Sequence, residues 1–356
     1  MELKDIFAQR LKSTRIMNGY SYRTFADALN NVVSAQTLRN YENGVAFPDS
    51  TVMSSLLRVL NVTIDTLFRP FSIDWSNVKF NFRKKGSMTI SQYNALIQEI
   101  QDDAERYVEL SEIMPLQPIA AECIARCRAN MVYDTKDARI IAMCARNSLG
   151  LLNEPIVDIQ DVANRMGIKL LPIHSDRYFD GAHFSSEGHL FICYNVIENV
   201  ERERFTIAHE LGHLLLNIPD TLDDKQIERL CDAFASEFLL PAQKLKELLG
   251  ENRKDISLRE LKSIQSLYGI SVDAIMYAAC ELNIITPNRY KTYNILKNRG
   301  IIDKDYIEQS AFPKFGNDQY ETLVYRALSS EIITMSKAAY LLNKSVAEVS
   351  KNLTIV

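Results

Sequence analysis

The sequence has 356 residues, of which 47% are hydrophobic and 24% are charged. These are ordinary values for a folded protein of two or three domains, and they exclude an intrinsically disordered chain. No apolar run approaches the roughly 20 residues of a membrane helix, so we expect no membrane partner.

Cysteine usage and the N-terminus indicate a cytoplasmic protein. The six cysteines contain no C-x-x-C pair, which argues against a disulfide scaffold and against a zinc site built from thiolates. The first residues, "MELKDIFAQRLKSTR", are charged and helically periodic, unlike a secretory signal.

The charge is unevenly distributed along the chain. Residues 1–85 contain 12 Lys and Arg against 7 Asp and Glu, a balance of +5, whereas the remainder contains 29 against 38, a balance of −9. A basic head on an acidic body favours contact between the head and a polyanion such as nucleic acid. The alternative is chance variation over a short segment.

Residues 1–70 have the pattern of a small helical bundle. Ser21 and Ser34 are predicted N-caps of two short helices, and Gly44 is predicted to end the second. The apolar positions of these helices are predicted to point inward: Phe25, Ala26, Leu29, Leu38 and Tyr41. Two such helices joined by a short turn are the helix-turn-helix plan.

The stretches "RLKSTRIMNGYS" and "S-x-x-T-L-x-x-Y-E-x-G", followed by Pro48, make this head similar to the Xre/Cro-like repressor domain. The resemblance implies that the helix near 34–43 enters the major groove of DNA. Four side chains of that helix would then reach base edges: Gln36, Thr37, Arg39 and Asn40. Four others are candidates for phosphate contacts: Arg10, Lys12, Arg15 and Arg23. The alternative is a bundle that binds protein or dimerises.

The next part, 71–134, is predicted to be a linker followed by a helical connector. Residues 70–89 have mixed composition and favour an extended chain, and "SQYNALIQEIQDDAERYVELSEIM" has apolar residues at helical spacing. Residues 135–166 are again predicted to be helical, with Gly167 at the end.

Residues 167–195 predict a small antiparallel sheet. The runs "IKLLPI", "GAHFSS" and "HLFICYN" are apolar or alternating, with turn signals at Asp180-Gly181 and Glu187-Gly188 between them. The last run precedes the helix described next, so it could bind an extended peptide by adding a strand at its edge.

The stretch "RFTIAHELGHLLLN" places two histidines on an otherwise buried helix. At about 100° per residue, His209 and His213 lie on one face, separated by roughly 40°, and could bind one zinc ion. Glu210 lies beside the pair, where it could take a proton from a zinc-bound water as a general base. The alternative is two buried structural histidines, each hydrogen-bonded.

Zinc requires a third protein ligand, and the next helix, "DKQIERLCDAFASEFLLP", offers three acids. We predict Glu228 as the ligand and Asp232 as the group that orients a ligand histidine, an E-x-x-x-D arrangement that resembles thermolysin-like zincins. Glu237 lies about 180° from Glu228 on this helix and is predicted to be a solvated surface residue.

A further donor to the oxyanion is also expected. Three residues are candidates, and the sequence selects none of them: His183, Tyr194 and Tyr178. Taken singly, His174, His183 and His189 are predicted to be surface or hydrogen-bonded histidines.

These two helices are similar to the ImmA/IrrE family of metallo-endopeptidases. The similarity extends to the stretch upstream, "ARNSLGLLNEPIVDIQDVANRMGIKLLPI", and to the stretch downstream, "LKSIQSLYGISVDAIMYAACELNII". The resemblance implies cleavage or inactivation of a DNA-bound repressor.

We therefore expect an α+β, mainly α protein with four parts: a helix-turn-helix domain (1–70), a linker and connector (71–134), a zincin-like zinc peptidase domain (135–285) and a helical C-terminal region (286–356). That last region could position substrate, cover the site or form a homodimer. The alternatives are a helix-turn-helix transcriptional regulator, or a toxin–antitoxin or prophage component, with a structural or sensory metal site.

Overall fold

The structure is a computed structural model that describes residues 2–75, 78, 80–84, 88–115, 118, 120–174, 179–310, 312–314 and 319–353. It is mainly helical with one small sheet, as predicted. Among the described residues, no helix combines the length and the apolar character required to cross a membrane.

The head is a bundle of five helices: α1 (Leu3–Met17), α2 (Tyr22–Ala28), α3 (Ala35–Glu42), α4 (Ser50–Leu60) and α5 (Ile64–Phe68). The predicted caps are confirmed, because the Ser21 and Ser34 hydroxyls accept hydrogen bonds from the backbone N–H groups of Thr24 and Thr37. Gly44 follows α3 with φ +67°, which is the left-handed conformation of a helix terminator. The five apolar residues predicted to point inward are all buried in the core of this bundle.

Two of the four predicted phosphate contacts are wrong, because the side chains are buried. Arg15 forms an ion pair with Glu42, with Nε 2.6 Å and Nη2 2.9 Å from its two carboxylate oxygens. Arg10 donates to the backbone carbonyls of Arg69 and Pro70. Both guanidiniums stabilise the bundle from within, and only Lys12 and Arg23 of that set are exposed.

The middle of the chain contributes one strand and four helices: β1 (Asn81–Lys84), α6 (Ile90–Ile113), α7 (Ala121–Cys127), α8 (Thr135–Ser148) and α9 (Ile159–Arg165). The predicted connector helix is α6, which begins at a capping box formed by Thr89 and Gln92. The region predicted to be helical over 135–166 forms two helices, α8 and α9, because a loop with Leu152 at φ +46° interrupts it.

The sheet comprises β1, β2 (Ile168–Ile173), β3 (Phe179–Ser186) and β4 (His189–Asn195), in the order β1-β3-β4-β2. The prediction of a small antiparallel sheet is right for β3 and β4 and wrong for β2. β3 and β4 form an antiparallel hairpin through Glu187 and Gly188, and β2 pairs with the other edge of β4 in parallel. β4 is therefore an interior strand, so the predicted peptide addition at its edge is also wrong.

Strand alternation divides the sheet between two hydrophobic cores. On β4, Phe191 and Cys193 face a core shared with α6, whereas Ile192 and Tyr194 face the main core. On β3, Ala182 and Phe184 belong to the α6 core. The intervening residues of β3 therefore point to the opposite side.

The main core includes the helices that follow the sheet: α10 (Val200–Leu215), α11 (Asp224–Leu239), α12 (Ala242–Leu249), α13 (Leu258–Tyr268) and α14 (Val272–Glu281). The tail is helical, as predicted: α15 (Pro287–Asn298), α16 (Lys304–Glu308), α17 (Gln319–Ser329), α18 (Met335–Leu341) and α19 (Val346–Asn352). The last three helices share a small core with Leu110 of α6.

Candidate metal centre

The two histidines of the H-E-x-x-H stretch lie on the face of α10 that is turned toward α11. His209 is fully buried and the side chain of His213 is 16% exposed. Ile207, Ala208 and Leu211 occupy other faces of the helix and are buried in the main core. This packing fixes the helix so that the Nε2 atoms of the two imidazoles lie 3.2 Å apart.

The carboxylate of Glu228 on α11 completes a triangle of ligand atoms. Its oxygens lie 3.4 Å from His209 Nε2 and 3.4 Å from His213 Nε2. The side chain is partly exposed, but both oxygens point at the imidazoles. The two histidines hold the pKa of Glu228 well below its usual range, chiefly through the contact with His209.

This triangle fits a tetrahedral zinc site. Ligands about 2.0–2.1 Å from a tetrahedral zinc ion are separated from one another by about 3.3 Å. The two Nε2 atoms, 3.2 Å apart, match this separation, and the Oε2 and Oε1 atoms of Glu228 each lie 3.4 Å from one of them, so that one carboxylate oxygen could occupy the third position. The donors, two imidazoles and one carboxylate, are also those that zinc prefers when a fourth position is left for water.

Asp232 holds the buried histidine of this triangle. Asp232 lies one helical turn after Glu228 on α11. Its Oδ1 atom accepts a hydrogen bond from His209 Nδ1 at 2.8 Å. The proton of the imidazole is then on Nδ1, which leaves the Nε2 lone pair directed at the ligand triangle. The structure thus brings Glu228 and Asp232 to one imidazole, in the arrangement that we predict.

Glu210 is buried beside the triangle, with 2% of its surface exposed. Its Oε2 atom lies 2.7 Å from Nδ1 of His183 on β3, and its Oε1 atom faces Gly181. His183, Glu210 and His213 also form a group of possible metal ligands. The 2.7 Å separation, however, is a hydrogen-bond distance and is shorter than the distance between two ligands of one zinc ion.

Two parts of the chain match known families. Residues 163–279, which include every group of the site, match the peptidase family of the IrrE N-terminal-like domain. Residues 11–67 match a helix-turn-helix family. The chain carries an IrrE-like domain behind a helix-turn-helix domain. This finding confirms the resemblance that the two sequence motifs predict.

Two curated relatives align with part of the chain. The radiation response metalloprotease IrrE of Deinococcus radiodurans is 29% identical over 184 residues, which is 45% of this chain and 52% of that protein. The protein of the same name from Deinococcus deserti is 30% identical over 126 residues, or 29% of this chain and 44% of that protein. The chain therefore spans about half the length of the curated relatives it matches.

Within the IrrE-like domain, Glu237 corrects one prediction. It is not a solvated surface residue, because only 4% of its surface is exposed. Its carboxylate lies 3.3 Å from Arg139 Nη1 and accepts a hydrogen bond from the Ala242 N–H. It lies on the opposite side of α11 from Glu228, as predicted, and does not reach the candidate metal centre.

The sequence also predicts, within the IrrE-like domain, a side chain that donates a hydrogen bond to the oxyanion. Tyr194 is buried in the main core, and its hydroxyl accepts a hydrogen bond from Gln160. Tyr178 lies outside the described residues. His183 is the candidate that lies in the centre, whereas His174 is exposed and His189 lies 3.2 Å from Lys169.

Sequence reasoning missed the role of Gly181 in this domain. It lies inside β3 rather than at the predicted turn, and its φ is not in the left-handed region. A Cβ atom at this position would lie 2.7 Å from Thr206 Cγ2 and 3.1 Å from Glu210 Oε1. Glycine therefore allows the close approach of β3 to α10. The alternation of "GAHFSS" places Gly181 and His183 on one face of β3. This pattern is the signal from which the position of both residues beside α10 could have been predicted.

In the helix-turn-helix domain, α3 presents the side chains that we predict for base contacts. Gln36 and Arg39 are exposed, and Thr37 and Asn40 are half-buried. The Gln36 side-chain amide donates to Oδ1 of Asn40 at 3.1 Å, and the Arg39 guanidinium lies 5.0 Å from the centre of the Tyr22 ring. These polar groups form the outer face of α3, while Leu38 and Tyr41 hold the helix to the bundle.

Proposed function

We propose that this protein is a zinc-dependent endopeptidase and regulator that cleaves or inactivates a DNA-binding repressor. The observation that carries the proposal is the triangle of His209, His213 and Glu228, with the buried carboxylate of Glu210 beside it. The zinc ion, when bound, would lower the pKa of a coordinated water to about 7 and polarise the scissile carbonyl.

The side chains have separate tasks in this proposal. Glu210 takes a proton from the attacking water and transfers it to the leaving amine as a general base and acid. Asp232 fixes the tautomer and the orientation of the His209 ring. The small separation of these groups on α10 and α11 supports a single reaction centre.

The helix-turn-helix domain would bring the peptidase to DNA or to a DNA-bound protein. The exposed face of α3, with Gln36, Thr37, Arg39 and Asn40, would contact base edges in the major groove. Lys12 and Arg23 remain candidates for phosphate contacts. The proposed contact with DNA supports a cytoplasmic location, and so does the lack of a disulfide bond at the six cysteines, all of which lie in the described part of the chain.

The test uses the full chain and the variant Glu210→Gln, each loaded with zinc and incubated with the repressors encoded beside its gene. We expect the wild type to cleave one of them, and the variant to lose at least about 100-fold in rate, since general acid–base catalysis contributes 10²–10⁴-fold. Mass spectrometry of the products identifies the bond. Glu237→Gln is the matched control, because it changes a buried acid of α11 away from the centre, and it should cleave normally.

Equal cleavage by wild type and Glu210→Gln would contradict the peptidase proposal. A second candidate function, a transcriptional regulator with a structural or sensory metal, is favoured by the match over residues 11–67. Sequence-specific DNA binding that is unchanged in Glu210→Gln, with no cleavage by the wild type, would support this regulator. A stoichiometric complex with an uncleaved partner would instead indicate a toxin–antitoxin or prophage component.

A further inference from the structure

His183 lies between two groups of the proposed reaction centre. It is on β3, opposite Ile192 of β4, and strand alternation directs its ring toward α10. Its Nδ1 atom lies 2.7 Å from Glu210 Oε2. Its ring also stacks on the ring of His213, with centroids 4.7 Å apart and an angle of 19° between the planes.

The hydrogen bond fixes the carboxylate of Glu210. An ionised carboxylate only accepts, so Nδ1 of His183 is the donor, and a charge-assisted bond of this length is strong. It engages Oε2, whereas Oε1 lies close to the space that a Cβ atom at Gly181 would occupy. One oxygen of the proposed general base is therefore held by β3, while the Cα of Glu210 is held by α10.

From this geometry we propose that His183 is a positioning residue, which orients the carboxylate of Glu210 for proton transfer and restrains the ring of His213. The inference rests on the proposed peptidase function and extends it to a residue outside the H-E-x-x-H stretch. Proton transfer requires the base within hydrogen-bonding reach of the water. A carboxylate that rotates freely would meet this condition only part of the time.

Two substitutions separate the hydrogen bond from the stacking. His183→Phe keeps a ring against His213 but removes the donor. His183→Asn removes the ring but keeps a donor, because the amide nitrogen of asparagine occupies the same position along the side chain as Nδ1 of histidine. His189→Phe is the control, since His189 lies on the same sheet but contacts Lys169 rather than the centre.

We expect His183→Phe to lower kcat by about 10–100-fold with KM changed by less than about threefold, and to keep its affinity for zinc, measured by chelator competition. His183→Asn should recover most of the lost kcat. His189→Phe should behave like the wild type in all of these measurements.

A second measurement reports on the Glu210 carboxylate without any cleavage. It is the binding of acetohydroxamate to the cobalt-substituted protein, followed by the visible absorption of the cobalt ion. The affinity for acetohydroxamate should fall in His183→Phe and recover in His183→Asn.

If the wild type cleaves nothing but shows this order of affinities, the peptidase proposal fails and the positioning role stands. Unchanged kcat and unchanged acetohydroxamate affinity in His183→Phe would overturn the positioning role. An equal loss of folding and metal in both His183 variants would overturn it too, and a wild type that binds no metal would overturn both proposals.

Discussion

Gly181 controls how closely the strand β3 can approach the helix α10. Its missing side chain leaves room for Thr206 and Glu210, which would otherwise lie 2.7 Å and 3.1 Å from a Cβ atom. Protein interiors are closely packed, so one added methyl group must move its neighbours. One of the neighbours that would have to move here is Glu210, the proposed general base.

The substitution Gly181→Ala should therefore lower the rate of cleavage by displacing the Glu210 carboxylate, and should destabilise the protein by about 1–3 kcal/mol. Metal affinity should change little, because the three atoms nearest to the new side chain belong to Thr206 and Glu210 and not to a proposed ligand. Steady-state kinetics, thermal unfolding and chelator competition measure the three effects.

The second variant Gly181→Ala/Thr206→Ser removes the methyl group that would lie nearest to the new side chain. We expect it to recover part of the lost stability. If Gly181→Ala alone had wild-type stability and activity, the close approach of β3 to α10 would be wrong.

At the scale of one element, α11 separates two kinds of acidic residue by helical geometry. Glu228 and Asp232 are four residues apart and both contact His209. Glu237 is nine residues from Glu228 and lies on the opposite side, where it pairs with Arg139. The helix therefore directs two carboxylates to the candidate metal centre and one into a structural ion pair.

We expect Asp232→Asn to weaken zinc binding by about 10–100-fold, because the ring of His209 would lose its carboxylate acceptor. Glu228→Gln should weaken binding further, since it replaces a proposed ligand. Glu237→Gln should leave zinc affinity unchanged while lowering the melting temperature. Chelator competition at constant pH distinguishes the three variants, and equal zinc affinity in all of them would contradict the ligand triangle.

At the scale of the whole molecule, α6 connects the helix-turn-helix bundle to the remaining parts. Glu105 of α6 is 3% exposed and accepts hydrogen bonds from the N–H groups of Ser72 and Ile73 and from the indole of Trp75. Arg10 of α1 lies 3.6 Å from the same carboxylate. This single buried acid thus binds the first helix and the chain that leaves the bundle.

Glu105→Ala should loosen the attachment of the bundle to α6. It leaves three donors without their acceptor and removes the carboxylate that pairs with the buried Arg10, and breaking a buried ion pair costs about 3–5 kcal/mol. Hydrogen exchange should accelerate at the amides of Ser72 and Ile73, while zinc affinity stays unchanged. Glu112→Ala, an exposed acid on the same helix, is the control. Unchanged exchange at these amides would show that Glu105 does not secure this junction.

Much of the local structure could be predicted because it depends on neighbouring residues. The caps at Ser21 and Ser34, the buried positions of α2 and α3, and the helix α6 follow from short-range hydrogen bonds and helical periodicity. The positions of Arg10, Arg15 and Glu237 could not be predicted in the same way. Their burial depends on partners at Pro70, Glu42 and Arg139, distant in sequence.

The sequence by itself determined that two imidazoles share one helical face with a carboxylate beside them, and that the following helix turns Glu228 and Asp232 the same way. Both are consequences of a fixed rotation per residue along α10 and α11. Only the tertiary structure decided that β2 pairs in parallel with β4, and that Gly181 and His183 of β3 contact Glu210. These contacts join residues that are 22 to 29 positions apart in the sequence, and their geometry depends on how the whole sheet packs against α10.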